Sequence, residues 1–189
     1  ASLGEYEQGK PIIKAYKLKF PKHRILLTFF SPSGFEIKKR STLADWVFYL
    51  PADTKENAKK FINIINPKKV IFIKYEFWLN YITELNKQNI PFYSVSTIFR
   101  DEQIFFKYKW LAKKLQNVNH FFLQDKKSAL LLKKIGIKNY TITGDTRFDT
   151  VLANTKKEVI MPLIKTFVKN KKTIVCGSTW PKDEKLLIQ

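Results

Sequence analysis

Short apolar runs alternate along the chain with longer stretches in which apolar residues recur every three or four positions. Continuous apolar runs of a few residues are typical of strands in a parallel sheet that is covered on both faces. The runs that meet this description predict strands at residues 24–30, 46–50, 70–73, 91–95, 120–123, 140–143 and 173–176.

The stretches between these runs carry the periodicity of amphipathic helices. One predicted helix follows Asp53, which forms with Glu56 a pattern resembling a capping box. Gly136 is placed to end another helix as its C-cap. Further predicted helices span residues 76–87, 101–115 and 126–135, and the apolar stripe of residues 101–115 includes Tyr108.

Strands and helices therefore alternate, which predicts an α/β fold with a Rossmann-like, doubly wound parallel sheet. We expect residues 1–153 to form this domain, residues 154–171 to form a helical linker, and residues 172–189 to begin a second α/β unit. The turn at residues 1–5 needs a strand before it, so we also expect the first strand of the domain to be missing. Ligands of such sheets bind at the carboxyl ends of the strands.

The composition narrows the possible partners. The 189 residues carry a net charge of +19, which favours a polyanionic partner such as nucleic acid, an anionic membrane or a phosphorylated substrate. The predominance of Lys is also compatible with the base composition of the source genome. The single cysteine excludes an internal disulfide framework, and no apolar run reaches the roughly 18 residues that span a bilayer.

The first candidate site lies at residues 1–5, where small residues lead into a helical pattern. Glu5 falls in the first helical turn, at the expected mouth of a cleft, where a carboxylate can accept a proton from a substrate hydroxyl. Alternatively, Glu5 only complements the helix dipole. Spacing alone leaves both interpretations open.

Three other candidate sites follow predicted strands, at residues 28–34, 74–80 and 143–149. The site at residues 28–34 offers hydroxyl and N–H donors to an anionic or sugar ligand, or it is an ordinary Ser-Pro turn. The site at residues 74–80 projects the acid of Glu76 and the amide of Asn80, and its Trp78 packs either on a sugar or in the core. The site at residues 143–149 holds a cation between two carboxylates, and the alternative is that these residues form a structural ion pair.

Several other chemistries lack their motifs. With two isolated histidines and one cysteine, the sequence has no metal-ligand spacing, and it contains no glycine-rich dinucleotide motif, Walker loop or nucleophile elbow. Residues 105–110 interleave aromatic residues with Lys, as in proteins that stack on nucleic acid bases. Their helical spacing instead favours a buried face with a solvated basic face, and a nucleic-acid-binding α/β module remains the alternative.

Taken together, the motifs resemble the Kdo (3-deoxy-D-manno-oct-2-ulosonic acid) transferases, glycosyltransferases of the GT-B fold. The matching segments, in family order, are ASLGE at 1–5, SPSG at 31–34, YLPAD at 49–53, KYEFWLN at 74–80, TGDTRFD at 143–149 and GSTW at 177–180. The ordered set covers nearly the whole chain. The chain departs from the family pattern at Lys74, Leu79, Asp145 and Arg147, and Arg100 stands near the place of a family arginine.

The resemblance implies an N-terminal acceptor-domain fragment, inactive alone, of an enzyme that moves Kdo from CMP-Kdo to a lipid A precursor in lipopolysaccharide biosynthesis. It implies inversion without a metal or cofactor, and association with the cytoplasmic face of the bacterial inner membrane, an anionic surface. Glu5 would be the general base, and Glu76 and Arg147 would stabilise the transition state. The implied acceptor-binding residues are Ser2, Gly4, Ser31, Ser33, Gly34, Trp78, Asn80 and Arg100, and the implied donor-binding residues are Gly177, Ser178 and Thr179. Another GT-B transferase or epimerase would share the architecture.

Overall fold

A computed structural model describes residues 2–155, 161–169 and 171–188 of the chain. The chain divides into two compact units, Ala1–Asn154 and Thr155–Gln189. Across the described ranges, no helix combines the length and apolar character that a membrane crossing requires.

The first unit is an α/β domain whose strands all pair in parallel, so the predicted fold class is confirmed. Six of the predicted strands form close to their expected positions, because short β-branched and aromatic runs between helices are strong local signals. They are β1 (Leu26–Phe29), β2 (Trp46–Tyr49), β3 (Val70–Ile73), β4 (Phe92–Thr97), β5 (His120–Leu123) and β6 (Tyr140–Ile142).

These strands form two sheets instead of the single sheet that the alternation predicts. One sheet has the order β1-β2, and the other has the order β3-β4-β5-β6. In each sheet, neighbouring strands are also consecutive in sequence, starting from β1 in one sheet and from β3 in the other. No strand of the described chain pairs with both β1 and β3. The two sheets meet at an apolar gap between β1 and β3.

Helices connect the strands. In the first unit they are α1 (Leu3–Lys19), α2 (Pro32–Lys38), α3 (Lys55–Ile65), α4 (Leu79–Lys87), α5 (Ile104–Lys107), α6 (Lys109–Leu115), α7 (Lys126–Lys134) and α8 (Arg147–Thr155). The core cluster lies between the four-stranded sheet and its helices, and its fully buried members include Ile82, Leu85, Leu115, Phe121, Leu123 and Leu132. Burial of such side chains stabilises the domain by roughly 1.5–3 kcal/mol each.

The predicted end of α7 is confirmed. Gly136 has φ +80°, and the N–H of Ile137 donates to the carbonyl of Leu132 at 3.0 Å. Glycine enters this left-handed region without the cost that a Cβ would impose, which lets the chain close over the last helical carbonyls.

Two helix predictions are wrong in detail. Thr54, and not Asp53, caps α3 by accepting a hydrogen bond from the Asn57 N–H. The expected helix over residues 101–115 is broken at Tyr108, whose backbone is extended at φ −120° and ψ 115°. Tyr108 consequently lies 54% exposed instead of in the core.

In the part of the second unit that the structure describes, there are two short helices, α9 (Pro162–Val168) and α10 (Pro181–Leu187). The strand expected at residues 173–176 does not form, and Ile174 and Val175 are more than four-fifths exposed. An isolated strand has no ladder hydrogen bonds and no core to cover, and no strand partner occurs in the described part of this unit. The expected start of the linker helix, residues 156–158, lies outside the described residues.

Candidate active site

The amino-terminal end of α1 lies at the carboxyl ends of β1 and β3. A Cβ atom added to Gly34 would stand 2.5 Å from the ring of Phe29 and 3.1 Å from the backbone nitrogen of Leu3. Phe30 follows β1 and packs against Trp78, with 4.6 Å between the ring centroids. Because Gly34 has no side chain, α2 can approach the end of β1 and the start of α1 closely.

Glu5 occupies the third helical position of α1 and is 8% exposed. Its carboxylate accepts a hydrogen bond from the Ser2 N–H, and the Ser2 hydroxyl accepts one from the Glu5 N–H at 3.4 Å. This capping box satisfies donors that would otherwise be unpaired at the helix start. Glu5 therefore has the structural role that the sequence left open, and it also lines a cleft together with Glu76.

Glu76 stands in the turn between β3 and α4, half-buried, and accepts a hydrogen bond from the indole Nε1 of Trp78 at 2.9 Å. Burial raises the pKa of the Glu76 carboxyl above its ordinary value, and the negative charge of Glu5 raises it further. The bond from Trp78 opposes this shift only in part. Two carboxyl groups therefore face one cleft, and the charge of Glu5 contributes to the raised pKa of Glu76.

The loop at residues 143–149 is tied to α1 through Gln8. The Nε2 of Gln8 donates to Asp145 Oδ1 at 3.2 Å, and the hydroxyl of Thr146 donates to the carbonyl of Gln8 at 2.7 Å. Gln8 is 1% exposed and lies one helical turn beyond Glu5. These bonds hold the candidate site at residues 143–149 beside the candidate site at residues 1–5, although most of the domain separates the two along the chain.

Asp145 in turn holds Arg147 at the start of α8. The Nε of Arg147 donates to Asp145 Oδ2 at 2.9 Å, so the charge cluster of this motif is an ion pair. Burial would raise the pKa of Asp145, but hydrogen bonds from Arg147 and Gln8 outweigh burial and hold it below its ordinary value. The same pair raises the pKa of Arg147, with a smaller contribution from Tyr75, the neighbour of Glu76.

Ser96 belongs to this site and was not predicted from the sequence. It lies at a register irregularity between β4 and β5, with φ 52° and a fully buried side chain. Its carbonyl accepts from Gln124 Nε2 at 2.7 Å, and its hydroxyl accepts from the Thr146 N–H at 3.4 Å. A β-bulge changes the direction of a strand residue, and here it turns Ser96 towards the loop. No local pattern marks Ser96 or Gln8, because their partners are distant in sequence.

The remaining candidate acceptor residues differ in their surroundings. Ser31 begins α2 and shares a 2.6 Å contact between hydroxyl oxygens with Ser33, at the same edge as Glu5 but outside the cleft lining. Asn80 uses its Nδ2 to donate to the Asp53 carbonyl at 2.6 Å. Gly4, which directly precedes Glu5 in the first turn of α1, is exposed, and so is Arg100.

The candidate donor residues lie in the second unit. Gly177 and Ser178 are exposed, Thr179 is half-buried, and Ser178 has φ 60°. The hydroxyl of Thr179 donates to Glu184 Oε1 at 3.0 Å, which ties this turn to α10. The segment is therefore a turn before a short helix, without the strand that was expected to precede it.

The cleft beside Glu5 and Glu76 has a volume of about 890 Å³ and extends along the gap between β1 and β3. Its middle is lined by apolar residues of both strands, and the two carboxylates lie at one end. Within residues 2–155, 161–169 and 171–188, no cluster of His, Cys, Asp and Glu side chains has the arrangement to hold a metal ion. Glu5 and Glu76 are the acidic residues of the cleft lining, and the Asp145–Arg147 pair lies outside that lining.

Comparison with known proteins agrees with this architecture. One similar solved structure is a UDP-GlcNAc 2-epimerase from Neisseria meningitidis bound to UDP-GlcNAc, with a TM-score of 0.61 and 14% identity over 90% of this chain and 52% of that one. At this identity the likeness concerns the fold alone, and it supports a GT-B-type Rossmann-like domain.

Curated relatives share more of the sequence. The 3-deoxy-D-manno-octulosonic acid transferase of Haemophilus influenzae is 27% identical over 100% of this chain and 46% of its own length. The transferase of the same name from Aquifex aeolicus is 30% identical over 78% of this chain and 39% of its own. The chain thus spans about half the length or less of these relatives. The family model for the 3-deoxy-D-manno-octulosonic-acid transferases (Kdo transferases) matches residues 1–150, and this chain therefore belongs to the Kdo transferase family.

Proposed function

We propose that the intact enzyme transfers Kdo from CMP-Kdo to a sugar hydroxyl of a lipid A precursor, with inversion and without a metal ion. Glu5 accepts the hydroxyl proton while the acceptor oxygen bonds to the anomeric carbon of Kdo. The bond from that carbon to the phosphate oxygen breaks, and CMP leaves with the electron pair. Attack from the side opposite CMP inverts the anomeric centre.

The observation that carries this proposal is the shared position of Glu5 and Glu76 at the carboxyl ends of β1 and β3. Ligands of open α/β sheets bind at this edge. The capping bond from Ser2 fixes the Glu5 carboxylate in place, and a carboxylate that accepts one such bond retains capacity to bind a proton. Positioning of this kind is what general base catalysis requires.

Glu76 and Arg147 act on the charge that develops in the transition state. Arg147 is 59% exposed in its side chain and is held from behind by Asp145, so its guanidinium can approach an incoming phosphate. Burial raises the pKa of the Glu76 carboxyl, which suits a carboxyl that donates or shares a proton in the cleft. Fixed side-chain charges of this type stabilise a transition state without reorganisation.

The acceptor sugar contacts the edge formed by Ser31, Ser33, Trp78 and the start of α1, and CMP contacts Gly177, Ser178 and Thr179. We infer that the 189-residue chain alone does not turn over, because the described part of the unit that carries these last residues forms two short helices and no strand.

The exposed surface of α5 and α6 supports contact with an anionic bilayer. Tyr108 and Trp110 are 54% and 61% exposed, and exposed lysines lie on both sides of them. Trp and Tyr partition to membrane interfaces, and each Lys near an anionic surface contributes on the order of 1 kcal/mol. We assign membrane association to this surface, the α5–α6 surface, defined by Lys107, Tyr108, Lys109, Trp110 and Lys113.

A transfer assay on the intact enzyme with CMP-Kdo and a lipid A precursor tests the reaction. Glu5→Gln retains the capping box, because Gln also serves at this position, and it removes the base. We expect turnover to fall by about 10²–10⁴-fold while the thermal unfolding curve stays in place. Glu7→Gln is the matched control, since Glu7 lies on the same helix and pairs with Lys10 and Lys38 outside the cleft. Wild-type turnover in Glu5→Gln would remove Glu5 from the mechanism.

A further inference from the structure

Three positions at which this chain departs from the family pattern, Lys74, Asp145 and Arg147, come together at one edge of the four-stranded sheet. Lys74 follows β3, and its N–H donates at 2.9 Å to the carbonyl of the β4 residue that precedes Ser96. The hydroxyl of Ser96 accepts a hydrogen bond at 3.4 Å from the N–H of Thr146, which lies between Asp145 and Arg147 in sequence. The carboxyl ends of β3 and β4 therefore bring Lys74 close to the loop that carries Arg147.

The ammonium of Lys74 has no carboxylate partner among the residues that the structure describes. Its Nζ lies 4.6 Å from the centroid of the Tyr75 ring, and the residue is half-buried. A cation over an aromatic face is held in place without losing its charge to a carboxylate. The three N–H donors of the Lys74 ammonium therefore remain available for a ligand.

The guanidinium of Arg147 is restrained but only partly used. Its Nε and Nη2 donate to Oδ2 of Asp145, and its side chain is 59% exposed. Because a guanidinium has five N–H donors, three remain for a ligand. Tyr75, whose ring carries the Lys74 ammonium, also contributes to the raised pKa of Arg147, so both cations lie near one aromatic residue.

The backbone at this edge has two uncommon conformations. Lys74 has φ 63° and Ser96 has φ 52°, which places two non-glycine residues of neighbouring strands in the left-handed region. Such residues are uncommon, and they concentrate at binding and catalytic sites, where the surrounding structure holds them. The hydrogen bond from the Lys74 N–H is one of the contacts that hold this turn.

We propose that Lys74 acts with Arg147 as a pair of cations that binds one phosphate group of a substrate. Lys binds phosphate as a point charge, whereas Arg presents a fork that matches two phosphate oxygens. The two cations and the Asp145 carboxylate leave one excess positive charge, which favours an anion over a neutral sugar. The inference rests on the proposed function for the identity of the substrates, in which the phosphate belongs either to CMP or to a phosphorylated acceptor.

Binding of inorganic phosphate to the intact enzyme tests this role directly. Titration at constant ionic strength, followed by the NMR shifts of the Lys74 and Thr146 amides, gives the affinity at this edge of the sheet. Lys74→Gln should weaken binding by about tenfold, because a hydrogen bond between charged groups is lost. Lys74→Glu should weaken it further, because a carboxylate repels phosphate. Both variants keep a Cβ at the left-handed position, so the melting temperature should stay close to that of wild type.

Lys69→Gln is the matched control. Lys69 precedes the same strand, and its ammonium also lies over aromatic rings, 5.9 Å from the centroid of Tyr16 and 5.5 Å from that of Tyr93. The substitution removes the same charge from the chain, so it reports any effect of the overall charge of +19. Unchanged phosphate binding in Lys74→Gln, or an equal loss in Lys69→Gln, would overturn the proposal.

Paired ligands identify the substrate that carries the phosphate. Titration calorimetry compares CMP with cytidine, and glucosamine 1-phosphate with glucosamine. A loss of affinity in Lys74→Gln that is confined to CMP assigns the phosphate of the donor, and a loss confined to the sugar phosphate assigns that of the acceptor. No loss for either phosphorylated ligand, or an equal loss for the phosphorylated and unphosphorylated members of both pairs, would overturn the proposal.

None of these measurements needs turnover. If Glu5→Gln keeps wild-type turnover, the general base of the proposed function is wrong, and the phosphate affinities still decide the role of Lys74. If Lys74→Gln leaves every affinity unchanged, the role of Lys74 is wrong, while the transfer reaction is judged by its own assay.

Discussion

The side chain of Gln8 donates a hydrogen bond to the carboxylate of Asp145, 137 residues further along the chain. Gln8 is buried on α1, and Asp145 holds the guanidinium of Arg147. The side-chain amide of Gln8 thus connects the helix that carries Glu5 with the loop that carries the proposed phosphate-binding cation, alongside the bond from the Thr146 hydroxyl to the Gln8 carbonyl.

Removing this amide should destabilise the domain. Gln8→Ala takes a donor from the partly buried Asp145 carboxylate, and a lost bond of this type costs about 1–3 kcal/mol. Gln8→Glu should cost more at neutral pH because it places two carboxylates together, and acid should restore part of the loss. Urea unfolding at two pH values measures both effects. Gln116→Ala, at an exposed glutamine, is the control, and an equal loss in the control would contradict the prediction.

Asp53 caps a helix far from it in sequence. Its carboxylate accepts from the N–H groups of Asn80 and Tyr81 at 3.1 and 3.3 Å, which satisfies the start of α4. We expect Asp53→Ala to lower the free energy of unfolding by about 1–2 kcal/mol. Thr54→Ala removes only the single cap bond of α3 and should cost less. A larger loss of stability in Thr54→Ala than in Asp53→Ala would contradict this prediction.

The raised pKa of Glu76 has a defined effect on stability. Because the folded chain holds this proton more tightly than the unfolded chain, the contribution of Glu76 to stability falls as pH rises above the ordinary pKa of a glutamate. Glu76→Gln does not titrate and keeps an acceptor for Trp78. Relative to wild type, its free energy of unfolding should therefore increase between pH 4 and pH 7. Glu56→Gln, at an exposed glutamate, should change much less with pH, and a flat difference for Glu76→Gln would contradict the shift.

Gly34 marks a close approach of backbones. Gly34→Ala forces its Cβ against Phe29 and the backbone of Leu3, and overpacking of this type costs about 1–3 kcal/mol. Gly4→Ala meets nothing closer than 3.9 Å, so it should be neutral or stabilising by up to about 1 kcal/mol. Chemical denaturation of both variants checks this contrast, and similar values would show that α2 can shift freely.

The α5–α6 surface predicts selective binding to anionic vesicles. The double variant Tyr108→Ala, Trp110→Ala should sediment several-fold less with phosphatidylglycerol vesicles than wild type, because interfacial aromatic contacts are lost. Neither protein should bind phosphatidylcholine vesicles strongly. Leu130→Ala, at another exposed apolar residue, is the matched control. Unchanged vesicle binding, or a larger loss of RNA binding than of vesicle binding, would contradict this assignment.

The local sequence determined most of the strands and the order of the motifs. The bounds of β3 and β5 agree with the prediction, because a short apolar run between two helical patterns has few alternative conformations. The family motifs were visible for the same reason, since each is a contiguous segment, and the motifs at residues 31–34, 49–53, 74–80 and 143–149 lie at the ends of strands. The position of Glu5 in a first helical turn also follows from its immediate neighbours.

Only the tertiary structure decided which of these segments form hydrogen bonds with one another. The cap from Asp53 to Asn80, the bond from Gln8 to Asp145 and the turn of Ser96 towards Thr146 join residues that are distant in sequence. The division into two sheets and the exposure of Tyr108 likewise depend on what packs beside each element. Periodicity predicts which face of a helix or strand is buried. The partner of a residue on that face depends on how the elements pack in the folded chain.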